Sequence, residues 1–300
     1  MLMQPRDNRL HIIRHVTWVG FWINALLMAL KLAFGFYGHS DALIADGFHS
    51  LSDFGTDFIV LVLVGIAHKG ADNDHPYGHG KFETIASVII SLILICVAAG
   101  ITISGIRSIV GFAYGEPLLR PDIWTLVVAA LSIVAKEWLY RYTMTNARAV
   151  ESEALKANAW HHRSDALSSV AALAGIALSL FLGDKWTLAD PITSLIIGLL
   201  IAYSAVKISI PSLGELMETS LPADVVKKIE NSIDNTAGVL YYHNLRTRRN
   251  GHSAIIDVNI HVNPRMSVAE GHAIASEVEN NIRQLISGDA IIYVHVEPAD

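Results

Sequence analysis

Long apolar stretches separated by short polar ones dominate the first two thirds of the chain. Six of them, residues 13–37, 42–67, 82–110, 123–142, 155–182 and 188–210, reach the roughly 20 residues that a bilayer's hydrocarbon core requires. The first is too long for the apolar core of a signal peptide and is expected to be kept as a span. An even number of spans returns the chain to its starting side. Arg6, Arg9 and Arg14 precede the first span, Lys69 and Lys81 flank the loop after the second, and Arg141, Arg148 and Lys156 flank the loop after the fourth. The opposite loops carry only Arg120 and Lys185, so the excess of basic residues predicts that both termini are cytoplasmic. Pro211 and Gly214 mark the predicted exit from the sixth span.

After that exit the pattern changes to short mixed elements. Helical spacing covers 223–235, β-rich runs cover 239–247 and 253–262 with a turn at Asn250-Gly251, and a second helix over 267–286 precedes a strand over 290–296. Ser267 followed three residues later by Glu270 is a capping box for that second helix. The predicted architecture is an all-α polytopic membrane domain of six transmembrane helices, residues 1–212, followed by a small α+β cytoplasmic domain, residues 213–300. A domain of that size gains from a partner or a bound metal.

Composition agrees with a membrane protein. Hydrophobic residues make up 52% of the chain, charged residues only 17%, and the mean hydropathy is +0.41. A net charge of -6 argues against a nucleic-acid partner. The single cysteine, Cys96, has no partner for an intrachain disulfide and is expected in the core.

Against that apolar background, ionisable residues stand out. His49 and Asp53 in the second span, and His161 and Asp165 in the fifth, repeat the spelling His-x-x-x-Asp. Residues four apart share a helix face, so each helix offers an imidazole nitrogen beside a carboxylate oxygen. Two such helices supply four nitrogen and oxygen ligands, a set that suits a tetrahedral transition metal. The competing reading, polar groups that glue helices, is weak for so many charges at bilayer depth. His162 is three residues from Asp165, and spacing alone lets either histidine face the site. Asp46 and Asp57 continue the stripe of the second span and are expected to support the ligands or line the approach to them.

Two further clusters carry metal-capable side chains. Asp72, His75 and His79 fall in the turn-rich loop after the second span, where the competing reading is a solvated polar loop. In the α+β domain Asp257 and His261 point to the same face of one strand, and His243, His272, His295 and Glu297 join them if the strands pair. Exposed surface polarity is the alternative there.

Six spans, paired x-x-x-Asp motifs in the second and fifth, the loop Asp74-His75-Pro76-Tyr77-Gly78-His79-Gly80-Lys81 and the terminal α+β domain together resemble the cation diffusion facilitator family, of the bacterial zinc and iron efflux type. The resemblance spans nearly the full length. Residues 158–169 and 74–80 also look like its magnetosome iron-transport branch. The resemblance implies a transport site of His49, Asp53, His161 and Asp165, choosing His161 over His162, and a loop site of Asp72, His75 and His79. It implies a metallochaperone-like domain whose metal site draws on His243, Asp257, His261, His272, His295 and Glu297. Asn259 stands where some relatives have histidine, and Glu297 where they have aspartate. A homodimer is implied as well, with Lys81 and Glu218 at the positions of a charge interlock near the membrane surface.

The resulting expectation is efflux of a divalent transition metal, Zn²⁺ foremost and Fe²⁺, Cd²⁺, Co²⁺ or Mn²⁺ after it, in exchange for protons by alternating access. Metal is then both substrate and regulatory ligand, with no organic cofactor, in a bacterial inner membrane. An intramembrane zinc hydrolase would need a general base such as the Glu of His-Glu-x-x-His, which is absent. The alternative is a non-transporting metal sensor or assembly scaffold, which would not need the paired intramembrane motifs.

Overall fold

The computed structural model describes residues 5–67, 71–150, 152–251, 253–286 and 289–299, with side chains described except at 5–11, 13, 55–67, 153 and 154. Among these residues six long helices form: α1 Pro5–Tyr37, α2 Asp41–Ala67, α3 Lys81–Ala113, α4 Ile123–Ala149, α5 Glu153–Phe181 and α6 Ala189–Leu216. Among the described residues, Arg14–Tyr37, Lys81–Ala113, Ile123–Ala149, Leu155–Phe181 and Asp184–Leu216 are long and apolar enough to cross a membrane. The remaining helix, α2, is 27 residues long and corresponds to the second predicted span, 42–67. Trp18, Trp22, Trp124, Trp138, Trp160 and Trp186 are all exposed, as suits aromatic rings at a lipid interface.

Two expectations are corrected. Cys96 is exposed on α3, between Leu92 and Ile93 on one side and Gly100 on the other, because the apolar run around it faces outward as well as inward. The sixth helix does not stop at Pro211 but runs through it to Leu216. A proline close to a helix end removes a single N–H, and the Ser212 hydroxyl donates back to the Ile208 carbonyl at 2.9 Å. The helix ends instead where Thr219 N–H reaches Gly214 O at 2.9 Å, with Glu218 in the left-handed region at φ 58°.

The chain divides into two compact units. One comprises residues 1–58 and 90–207, the other residues 59–89 and 208–300. In the first, small side chains set the helix spacing: a Cβ on Gly35 would lie 2.8 Å from Ile44 and one on Gly47 2.8 Å from Leu32, so α1 and α2 approach at glycines. Asp190 of α6 fixes the start of α2. Its carboxylate accepts from the Ser40 hydroxyl (2.6 Å) and from the backbone N–H of Asp41 (2.6 Å) and Ala42 (3.3 Å), groups that have no partner inside the helix.

The second unit contains α7 Ala223–Asp234, β1 Tyr241–Asn250, β2 Ser253–Val262, α8 Val268–Leu285 and β3 Ala290–Pro298. The sheet order is β1-β2-β3, with the first pair antiparallel and the second parallel, the parallel return being carried by α8. Ser267 and Glu270 form the predicted capping box, and the Ser267 N–H and hydroxyl hold the Glu270 carboxyl below its usual range. β1 starts later and runs longer than the apolar pattern predicts, because Arg248 and Arg249 continue the ladder opposite Ile255 and Ala254. Ile256, Val258 and Ile260 of β2 pack with Ile229, Ile233, Val278 and Ile282 in one core. Alternation therefore turns Asp257, Asn259 and His261 to the face that the helices leave open.

Candidate metal centres

In the first unit, the two His-x-x-x-Asp helices converge. One ligand atom each from His49, Asp53 and Asp165 lies within 4.8 Å of the others. Asp165 is buried, and the buried Nδ1 of His49 has no hydrogen-bond partner among the described residues, a polarity that a metal would satisfy. His161 is half exposed, with its Nδ1 3.5 Å from Oδ1 of Asp165. His162 is buried, both ring nitrogens lack partners among the described residues, and a Cβ on Gly20 would lie 3.4 Å from its Nε2. The helical step of 100° per residue separates these neighbours into different environments.

Two lysines that sequence reasoning missed complete the surroundings. Lys136 of α4 donates to Asp165 Oδ2 at 2.8 Å, and Lys31 of α1 lies 2.8 Å from Asp46 Oδ2; both ammonium groups are almost wholly buried. Asp46 also accepts from Ser168 (2.8 Å) and Ser169 (2.9 Å), while Lys31 donates to Ser50 (3.0 Å) and Ser169 (2.9 Å). Asp46 is thus bound into an ion pair one turn from His49 and does not line an open approach. The signal available in the sequence was a lysine inside each of two apolar spans, where charge is costly and demands a partner. The side chain of Asp57 lies outside the described residues.

In the second unit, Asp72, His75 and His79 draw together. Asp72 lies 3.5 Å from both His75 Nδ1 and His79 Nε2, and the three offer ligand atoms within 4.8 Å of one another. The loop is shaped by Asp72, whose Oδ1 accepts from the N–H of Asp74 (3.1 Å) and His75 (2.8 Å), and by Gly78 at φ 81°. Lys81 reaches Glu218 at 3.3 Å within the same chain, and Glu218 also lies 3.8 Å from Arg248.

The open face of the sheet holds a third group. His243, His261 and Glu297 offer ligand atoms within 4.8 Å, with His261 Nε2 3.0 Å from His243 Nδ1 and 3.2 Å from Glu297. A bulge between His243 and Arg246, with Asn244 at φ 56°, positions His243, and the parallel register sets Glu297 beside His261. Asn259 donates to Glu297 at 2.8 Å, so an amide orients the carboxylate. His295 borders the group at 3.5 Å from Glu297. The six-residue set is not gathered as a whole: Asp257 pairs with Arg248 at 3.2 Å, and His272, exposed on α8, lines a cleft with Glu297 but is not one of the three clustered ligands.

Residues 17–217 match the cation efflux transmembrane domain, and residues 221–299 match the cytoplasmic domain of cation efflux proteins. The chain is 34% identical to the manganese efflux system protein MneP of Bacillus subtilis, over 97% of this chain and 98% of that protein. It is 30% identical to the magnetosome protein MamB of Magnetospira sp. strain QH-2, over 94% of each. Among solved structures, the MamB C-terminal domain of Desulfamplus magnetovallimortis is similar at 21% identity, covering 26% of this chain and 95% of that one, with a TM-score of 0.25. On the family match across most of its length, this chain belongs to the cation diffusion facilitator family and is a membrane cation efflux transporter, not an enzyme.

Proposed function

We propose that the protein exports a divalent first-row transition metal in exchange for protons, through a site of His49, Asp53, His161 and Asp165. The observation that carries this reading is the convergence of His49 and Asp53 of α2 with Asp165 of α5. Two carboxylates bring negative charge to the ion and imidazoles complete its coordination. Histidine ligands must be deprotonated to bind metal, so protons compete with the ion within the physiological range. Inward return of protons then drives metal outward as the helices alternate access.

Two imidazoles beside two carboxylates suit Zn²⁺ better than Mn²⁺, which prefers oxygen ligands. The names of MneP and of a second Bacillus subtilis relative, the manganese efflux system protein MneS, 33% identical over 92% of this chain, favour Mn²⁺ as the second reading. Competitive flux of Zn²⁺ and Mn²⁺ through wild type, His49→Asp and His161→Asp separates them. A Zn²⁺ carrier loses its preference when an imidazole becomes a carboxylate; wild type preferring Mn²⁺ contradicts the zinc reading.

The loop group and the His243, His261 and Glu297 group act as regulatory metal sites, and the functional form is a homodimer, as the cytoplasmic domain of this family supports. The basic residues flanking alternate loops support an orientation with both termini cytoplasmic, and the membrane proposed is a bacterial inner membrane. Residues 1–212 carry transport and residues 213–300 regulate it.

A further inference from the structure

Lys136 is placed to do more than neutralise a carboxylate. Its ammonium is 1% exposed and sits 2.8 Å from Oδ2 of Asp165, whose other oxygen faces His161. One oxygen of a transport ligand is therefore held by a positive charge that is part of the protein. Lys31 does not share this duty, since it is bound to Asp46, Ser50 and Ser169.

We propose that Lys136 is a built-in counter-cation that sets the affinity of the transport site, keeping it weak enough to release its ion. The inference rests on the proposed site of His49, Asp53, His161 and Asp165. With neutral imidazoles, Asp53 and Asp165 alone would present two negative charges and neutralise a divalent ion fully. With Lys136 the same group presents one negative charge before the ion arrives and one positive charge after it. In a low-dielectric interior a fixed positive charge beside the ion opposes binding strongly. The ion is thus loaded against repulsion from one side, which favours its departure when the site opens outward. The same charge stabilises the carboxylates when no ion is bound, which a carrier crossing between orientations requires in a bilayer.

A role in charge differs measurably from a role in orientation. If Lys136 only aims Asp165, its loss weakens metal binding; if it sets affinity, its loss tightens binding. The experiment is Zn²⁺ and Mn²⁺ binding to the purified full chain by chelator competition, with Asp165→Asn taken as the background from other sites. Lys136→Gln keeps a donor without the charge, Lys136→Met removes both, and Lys136→Arg keeps the charge. The expected result is at least about tenfold tighter binding in the Gln variant, or in the Met variant if Gln fails to fold, with slower maximal flux and near wild-type affinity in the Arg variant. Unchanged or weaker binding in folded Gln and Met variants overturns the assignment to Lys136. Wild-type binding in Asp165→Asn overturns the site reading instead.

Discussion

The ammonium of Lys31 lies 2.8 Å from a carboxylate oxygen of Asp46, and the two side chains are 1% and 0% exposed. A buried pair adds little relative to an apolar pair of the same shape, but removing one partner strands the other. Lys31→Met should therefore destabilise the protein by about 3–5 kcal/mol, while Lys31→Met with Asp46→Asn recovers most of that loss. Thermal unfolding of detergent-solubilised protein with both single variants and the double variant checks this, and a double loss equal to the sum of the single losses would mean that the pair is not coupled.

The neighbouring histidines of α5 should behave differently. His161→Ala is expected to reduce flux at least about tenfold through loss of a ligand, with little effect on folding. His162→Ala should reduce flux less and lower the unfolding temperature more, because His162 is buried beside Gly20. Parallel flux and unfolding measurements give the order, and the reverse order would move the ligand by one residue.

The hairpin tip of the sheet sits against the loop between α2 and α3. Asn250 donates to the Tyr77 carbonyl at 2.8 Å, Gly251 N–H to Glu215 at 2.6 Å, and a Cβ on Gly80 would lie 2.5 Å from the Asn250 carbonyl. Gly80→Ala should cost about 1–3 kcal/mol by forcing the two apart. The check is unfolding of the full chain, against Gly100→Ala, whose Cβ would meet nothing within 4 Å.

On the open face of the sheet, His243→Ala or His261→Ala should remove one metal-binding event from the full chain, whereas His272→Ala should leave it. Titration calorimetry in an Asp165→Asn background reads this directly. Loss of the event in His272→Ala would extend the site onto α8.

How far the sequence reached depends on which geometry sets each feature. His49 with Asp53, and Asp72 with His75 and His79, are local groups whose spacing brings them together within one helix or loop, and periodicity shows them. The convergence of Asp53 with Asp165 was legible only as a repeated spelling. The roles of Lys31 and Lys136 are not legible by spacing, because a lone lysine in an apolar span has no partner on its own helix; the partner comes from another helix, by packing at Gly35 and Gly47 for Lys31. The ligands on the sheet depend on a bulge at Asn244 and on a parallel register, neither of which alternation of residue types specifies. Hence alternation shows which way Asp257 faces but not that it meets Arg248 there.

The most direct test of proton-linked efflux is metal movement across proteoliposomes at fixed metal and a varied pH gradient. With protein oriented so that its cytoplasmic side faces the metal, acidifying the receiving compartment should accelerate wild-type flux, and collapsing the gradient should slow it. Asp53→Asn and Asp165→Asn should abolish it while remaining folded. Gradient-insensitive wild-type flux, or wild-type rates in either aspartate variant, would contradict metal–proton exchange at this site.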